Sequence, residues 1–146
     1  MRLLACAILT VVLAGCGGSD EGPRAVIETD SGNVAVQVEV ADTAAEREHG
    51  LMGRRELAGD AGMAFVFPDD TSSPFWMKDT LIPLSIAFYD DAGRIVRILD
   101  MQPCRQNPCP LYDPHVRYRG ALEVNLGAFH RWGVQVGDRL RVIGNE

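Results

Sequence analysis

Residues 75–80, Phe-Trp-Met-Lys-Asp-Thr, carry the richest mixture of chemically useful side chains in the sequence. Strand alternation would place Trp76 and Lys78 on the same face. An indole platform beside an amine, a carboxylate and a hydroxyl can hold a small polar ligand such as a sugar or a peptide. We therefore predict that Trp76, Lys78, Asp79 and Thr80 form a ligand-binding surface. The structural alternative is that Trp76 covers the core while Lys78 pairs with Asp79 or another surface acid.

The sequence offers little support for enzymatic catalysis. It contains no G-x-S-x-G motif and no paired-carboxylate motif. His49, His115 and His130 lie in different segments, and we interpret His49, alone on a short predicted helix, as structural. We predict no catalytic residue. An undiscovered hydrolase or transferase that uses the Trp76–Thr80 segment stays open as an alternative.

Cys104 and Cys109 are predicted to form a disulfide, because an exported protein folds in an oxidising compartment. Closing so short a loop contributes about 2 kcal/mol in the chain-entropy model. A redox couple would favour C-x-x-C spacing, and zinc would need two further ligands, of which only His115 is near in sequence. The methionines form no M-x-M cluster for copper. We therefore predict no metal and no cofactor.

The N-terminus has the pattern of a bacterial lipoprotein precursor. Arg2 supplies a positive charge, an apolar run follows from Leu3 to Leu13, and the small residues Ala14 and Gly15 precede Cys16. This order resembles a lipobox, in which cleavage before the cysteine is coupled to attachment of lipid chains such as palmitate. We predict a signal peptide over residues 1–15 and lipidation of Cys16. The alternative is an ordinary cleaved signal with an incidental cysteine.

The predicted mature chain is one domain on a lipid anchor. Residues 16–24 are the lipidated cysteine and a flexible polar tether, and residues 25–146 form the domain. Removing Arg2 from the 14 basic residues leaves 13 basic and 20 acidic side chains, a net charge of −7. This charge disfavours nucleic-acid binding. The expected partners are the membrane, through Cys16, and an unknown small ligand or envelope protein.

Strand patterns dominate the domain. A first strand is predicted over residues 25–29, and alternating valines predict a half-buried strand over residues 34–40. Six further short strands follow from Met63 to Ile143, one of them over residues 75–78. Thr43 to Glu46 is a capping-box pattern that opens one short helix through about Met52, and one helical turn is predicted near residues 128–132. The pattern favours a mainly β, compact, sandwich-like or barrel-like single domain with one short α-helix.

Five motifs in this order resemble the domain of unknown function 192 (DUF192) family over about residues 25–144. They are Gly50-Leu-Met52, Gly62-Met-Ala-Phe-Val-Phe67, Phe75-Trp-Met-Lys-Asp-Thr80, Ile82-Pro-Leu84 and Gly93-Arg-Ile95. The resemblance implies a jelly-roll-like β domain and brings no established activity. Asp79 stands where Asn is common in the family, and Ser85 where Asp is common, so the charge of a site at these positions would differ here.

These observations predict a lipid-anchored protein of the bacterial cell envelope, on the periplasmic side if the cell is Gram-negative. Gly17 after the lipidated cysteine lacks the Asp retention signal of some bacteria, which favours the outer membrane. The expected function is a binding or accessory module, not an enzyme. A structural component of an envelope complex is the further alternative.

Replacing Cys16 with Ser tests the anchor. The substitution removes the thiol that would carry the diacylglycerol, so we expect loss of lipid labelling and a block in processing at this position. Radiolabelled palmitate incorporation and membrane fractionation measure both effects. Unchanged membrane association of a processed Cys16→Ser protein would contradict the lipoprotein prediction.

Overall fold

The computed structural model describes residues 22–144. The predicted signal peptide 1–15, Cys16 and most of the tether lie outside the described residues. The described elements, in chain order, are β1 (Arg24–Thr29), β2 (Gly32–Ala41), α1 (Ala44–His49), β3 (Ala61–Thr71), β4 (Phe75–Trp76), β5 (Leu84–Tyr89), β6 (Ile95–Met101), β7 (Leu111–Tyr112), β8 (Tyr118–Asn125), α2 (Ala128–Arg131) and β9 (Arg139–Ile143).

Seven strands form one curled sheet in the order β6-β5-β8-β3-β2-β1-β9, and β4 pairs with β7 in a small second sheet. All neighbours in the large sheet are antiparallel except β2 and β3, which are parallel. The sheet curls until its two edges meet: the Ile95 N–H donates to the Asp138 carbonyl at 2.8 Å, and the Leu140 N–H donates to the Gly93 carbonyl at 2.7 Å. The mainly β single domain predicted from the sequence is confirmed, as a half-barrel.

The central strands β5, β8 and β3 separate two apolar cores. The residues on the concave side pack inside the curl with α2, and they include Ile27, Ala64, Leu122 and Phe129. The opposite side is covered by the segment that follows α1 and by the segment around β4. That second core includes Phe65, Met77, Ile86 and Leu51. Every side chain of β5 is buried as a result.

Helix α1 begins as predicted but ends earlier. Thr43 and Glu46 form the predicted capping box, each side chain bonded to the other's backbone N–H. The helix ends at His49, not near Met52, because Gly50 turns out of it with φ +49°. That turn sends Leu51 into the second core. A second helix, α2, occupies the place of the helical turn predicted near residues 128–132.

The strand predicted over residues 75–78 is shorter than expected. Only Phe75 and Trp76 pair with β7, and the chain then turns, with the Thr80 N–H donating to the Met77 carbonyl at 3.2 Å. The predicted alternation nevertheless holds, since Met77 is buried while Trp76 and Lys78 are exposed. This short strand and its turn carry the predicted binding residues.

Thr43→Ala should destabilise the domain through α1, because the helix loses the side chain that accepts the Glu46 N–H. We expect the free energy of unfolding to fall by about 1 kcal/mol. Thr43→Ser keeps a hydroxyl at the same place and should be close to wild type. Urea unfolding of the three proteins measures the difference, and equal losses in both variants would show that the cap does not stabilise α1.

Candidate functional site

Trp76 and Lys78 form an exposed pair at the surface. The Trp76 side chain is 42% exposed. The Lys78 ammonium lies over the indole, with Nζ 5.4 Å from the ring centroid. Lys78 is the only lysine in the sequence. Within residues 22–144 it forms no ion pair. The alternative in which Lys78 pairs with Asp79 is therefore not the arrangement in the structure.

A groove opens beside this pair, and the disulfide loop forms its other wall. Cys104 and Cys109 are bonded, with an S–S distance of 2.09 Å, so the predicted disulfide is present in the structure. The loop is held to the Trp76 strand by pairing of Trp76 with Leu111 and by a bond from the Cys104 N–H to the Met77 carbonyl at 3.4 Å. The groove, of about 920 Å³, is lined by Trp76, Lys78, Asp79, residues 104–109 and Leu111, and is called the Trp76 groove below.

Asp79 and Thr80, the other two predicted residues, lie on different sides of the turn. Asp79 has φ +54°, a conformation that Asp tolerates better than most residues. Its carbonyl accepts the Gly53 N–H at 2.9 Å, which ties the groove to the segment after α1. Thr80 is buried, and its hydroxyl donates to the Lys78 carbonyl at 3.3 Å. The structure thus brings Trp76, Lys78 and Asp79 to one groove and turns Thr80 away from it.

Thr80 instead lines a second, narrow cavity that Trp76 also borders. This Glu123 cavity has a volume of about 30 Å³. Its walls come from α1 and the residues after it, from β3, from the Phe75–Thr80 segment and from β8. The lining residues are Arg47, Glu48, His49, Gly50, Leu51, Met52, Phe65, Phe75, Trp76, Thr80 and Glu123. Trp76 is therefore a wall of both the groove and the cavity.

Glu123 is a buried carboxylic acid whose side chain has no polar partner among residues 22–144. It lies on β8 between Met63 of β3 and Ile86 of β5 and is 4% exposed. Its carboxyl accepts no hydrogen bond and forms no ion pair in this part of the chain. Burial raises the pKa of Glu123 from 4.5 to about 8. At neutral pH the carboxyl carries a proton, and it ionises when a cation binds beside it and stabilises the charged form.

Sequence reasoning missed Glu123 because it sat inside a predicted strand that showed no motif. A signal was nevertheless available. Glu123 is the only charged residue in the apolar run from Ala121 to Leu126. A strand that is apolar on both faces is typical of a central strand, and a charge on such a strand points into a covered layer.

The three histidines and the two positions that differ from the family pattern, Asp79 and Ser85, occupy different parts of the structure. Of the three histidines, only His49 lines the Glu123 cavity, at its exposed rim; His115 lies 3.5 Å from Asp113 and His130 is on α2. Ser85 is buried, donates to Asp100 at 2.5 Å and accepts the Gly127 N–H at 2.8 Å. Ser85 is thus structural, whereas Asp79 does border the groove.

Among the described residues, no group of three or more His, Cys, Asp or Glu side chains is placed to hold a metal ion. No helix between residues 22 and 144 is both long and apolar enough to cross a membrane.

Comparison with known proteins gives a family and a fold. The DUF192 family model, described as an uncharacterized ACR, matches residues 25–142. A crystal structure from Sinorhizobium meliloti 1021, named as a candidate transcription regulator, is 35% identical, with a TM-score of 0.77 over 84% of this chain and 94% of that one. A protein of unknown function from Novosphingobium aromaticivorans DSM 12444 is 31% identical, with a TM-score of 0.73 over 81% of this chain and 83% of that one. No curated protein matches the chain.

The buried carboxyl predicts a specific dependence of stability on pH. Between about pH 5 and pH 8 the folded protein keeps the Glu123 proton that the unfolded chain has lost, given a pKa of about 8 against 4.5. The unfolded state therefore binds fewer protons, and the free energy of unfolding falls as pH rises through this window, by about 1.4 kcal/mol per pH unit.

Glu123→Gln removes this dependence while keeping the shape of the side chain. We expect the stability of the variant to stay level where that of the wild type falls, so that the variant is the more stable protein at pH 8. Urea unfolding at a series of pH values measures both curves. Parallel curves for the two proteins would show that Glu123 is not the group that titrates.

Proposed function

The chain belongs to the DUF192 family, and from that premise we propose that it is an envelope lipoprotein whose domain binds an anionic ligand in the Trp76 groove. The family description names no reaction. The proposal is therefore built on the groove itself. It is a binding function, with the lipid on Cys16 holding the domain at the membrane.

One observation carries the choice of ligand: both cations of the groove are without ion pairs among residues 22–144. The Lys78 ammonium lies over the Trp76 ring, and neither it nor Arg105 of the disulfide loop makes a salt bridge. Two such cations in an open groove can form charge-assisted hydrogen bonds with a carboxylate or a similar anion.

Trp76 further restricts the chemical class of the ligand. An exposed indole provides a flat apolar surface for stacking, and its edge stays accessible to solvent. Leu111, which is 63% exposed, extends the apolar surface beside it. A ligand with a flat apolar face and a negative charge matches this combination. A sugar ring that bears a carboxylate is the class we propose.

The tether fits this role. The eight residues from Gly17 to Arg24 reach about 28 Å when extended, which holds the domain just off the bilayer. Cys16 as a lipid anchor, the envelope location and the periplasmic side remain parts of the same proposal. The outer membrane is the favoured one, because Gly17 follows the cysteine.

A transcription-regulator role, which the name of the Sinorhizobium relative suggests for that protein, is not carried over to this chain. The formal net charge of −6 repels a nucleic-acid backbone. The Trp76 groove adds Asp79 beside its two cations, and it has no recognition helix. Its chemistry suits a small anion better than a polyanionic duplex.

The tryptophan content allows a direct binding assay. The chain has two tryptophans, so Trp132→Phe leaves Trp76 as the only indole reporter. In this background we expect glucuronate to change the fluorescence of Trp76 and glucose to change it far less. Lys78→Ala and Arg105→Ala should each weaken glucuronate binding about twofold to fivefold, the range of one exposed charge pair.

Arg97→Ala is the matched control, because Arg97 is an exposed arginine on β6 that does not line the groove. Its affinity should equal that of the parent. Equal responses to glucuronate and glucose, or equal losses in Arg97→Ala and Arg105→Ala, would contradict an anion site at Trp76.

A further inference from the structure

The Glu123 cavity contains a charge-bearing group that the described chain leaves unsatisfied. The carboxyl is buried, lines the cavity and has no donor among residues 22–144. No side-chain oxygen of Glu123 is completely sealed off, so the carboxyl keeps a little surface through which an entering group can reach it. A carboxyl that is 4% exposed and has no donor still costs stability when it is charged, and a ligand with a positive charge would offset that cost. Functional sites are where proteins keep groups of this kind.

The arginine that borders the cavity does not serve Glu123. The Arg47 guanidinium donates to the Asp42 carbonyl and, at 2.9 Å, to the Val66 carbonyl. It also lies 4.9 Å over the ring of Phe67. Because Arg47 is held by these three contacts, it leaves the Glu123 carboxyl open to a donor that enters from outside.

The walls of the cavity favour a donor that is positively charged. Phe65, Phe75 and Trp76 line it, and the rings of Phe65 and Phe75 meet edge to face with centroids 5.1 Å apart. Aromatic faces attract cations, and the attraction grows where water is excluded. The Thr80 hydroxyl donates to the Lys78 carbonyl, so its lone pairs remain available as acceptors. A carboxylate, aromatic rings and an acceptor oxygen form a receptor for an ammonium group.

The size of the cavity limits the guest. A volume of about 30 Å³ accommodates a group only slightly larger than a water molecule. A terminal ammonium with its last methylene fits, whereas a trimethylammonium head does not. The rest of the ligand would extend past the exposed rim formed by Glu48 and His49.

We infer that the Glu123 cavity binds the terminal ammonium of a primary alkylamine, with the Glu123 carboxylate as counter-charge and Phe65, Phe75 and Trp76 as the apolar wall. The cavity shares Trp76 with the groove, but neither Lys78 nor Arg105 lines it. It therefore does not rest on the proposed function, and either can fail alone.

Proton release is a consequence of this geometry. Without a cation the pKa of Glu123 is raised by burial to about 8, so an entering ammonium displaces a proton from the carboxyl at neutral pH. The apparent affinity should rise about tenfold per pH unit until the carboxyl is fully ionised. The other ionisable groups that line the cavity, Arg47, Glu48 and His49, all belong to α1.

The test uses the whole protein with its native disulfide and titrates n-butylammonium. The control ligands are n-butanol, which has the same chain but no charge, and tetramethylammonium, which is charged but too bulky for the cavity. Nuclear magnetic resonance follows the backbone amides of β8 and of the Phe75–Thr80 segment. We expect saturable shifts with n-butylammonium only. Its affinity should be higher at pH 8 than at pH 6 by about fiftyfold, since the carboxyl is half ionised at a pH equal to its pKa, and lower in Glu123→Gln by at least about tenfold.

Three matched variants make the result decisive. Glu48→Gln removes an exposed carboxylate at the same rim and should weaken binding by no more than the roughly twofold to fivefold of one exposed charge pair. His49→Gln should keep the pH dependence, and Lys78→Ala should leave n-butylammonium binding unchanged. The inference is overturned if n-butanol binds as tightly as n-butylammonium, if Glu123→Gln binds as the wild type does, or if Glu48→Gln and Glu123→Gln weaken binding equally.

Discussion

Burial of the central strands β5, β8 and β3 on both faces is the constraint on which the remaining architecture depends. A sheet with two apolar faces needs two covers. Curling of the sheet supplies the first, because β1, β2 and β9 wrap around the concave side until β9 meets the start of β6. The second cover is assembled from short irregular pieces: α1, the Leu51 segment and the β4 turn. Short irregular pieces pack against one another with gaps between them, and two of these gaps are the Glu123 cavity and the Trp76 groove.

The turn after β4 shows how a covering segment also becomes a functional one. Met77 anchors the segment in the second core, and its carbonyl receives bonds from the N–H groups of both Thr80 and Cys104. With Met77 fixed, strand alternation leaves Trp76 and Lys78 outside. Packing and exposure of this segment are therefore set by a single residue, and the disulfide loop is attached at the same point.

The sequence predicted those features that depend on local periodicity or on local hydrogen bonds. The alternation of β2 and the Thr43–Glu46 capping box are both present. Strand order was beyond its reach, because the parallel pairing of β2 with β3 and the meeting of β6 with β9 are set by contacts between distant residues. The binding segment was found from its residue types, whereas the separation of Thr80 from Trp76, Lys78 and Asp79 follows from a turn that alternation does not encode.

Glu123 shows most clearly why the cavity could not be predicted from the sequence. Periodicity indicates which side chains share a face of β8, but it does not say that the face is covered, because the cover comes from residues more than forty positions away. The same cover explains the opposite character of the two sites. In the groove the Trp76 indole lies with the cations Lys78 and Arg105, and in the cavity it lies with a carboxyl that is largely shielded from water. Since one ring forms a wall of both sites, a change at Trp76 would disturb both at once. Substitutions of the charged residues Lys78, Arg105 and Glu123, and not of Trp76, therefore separate an anion site in the groove from a cation site in the cavity.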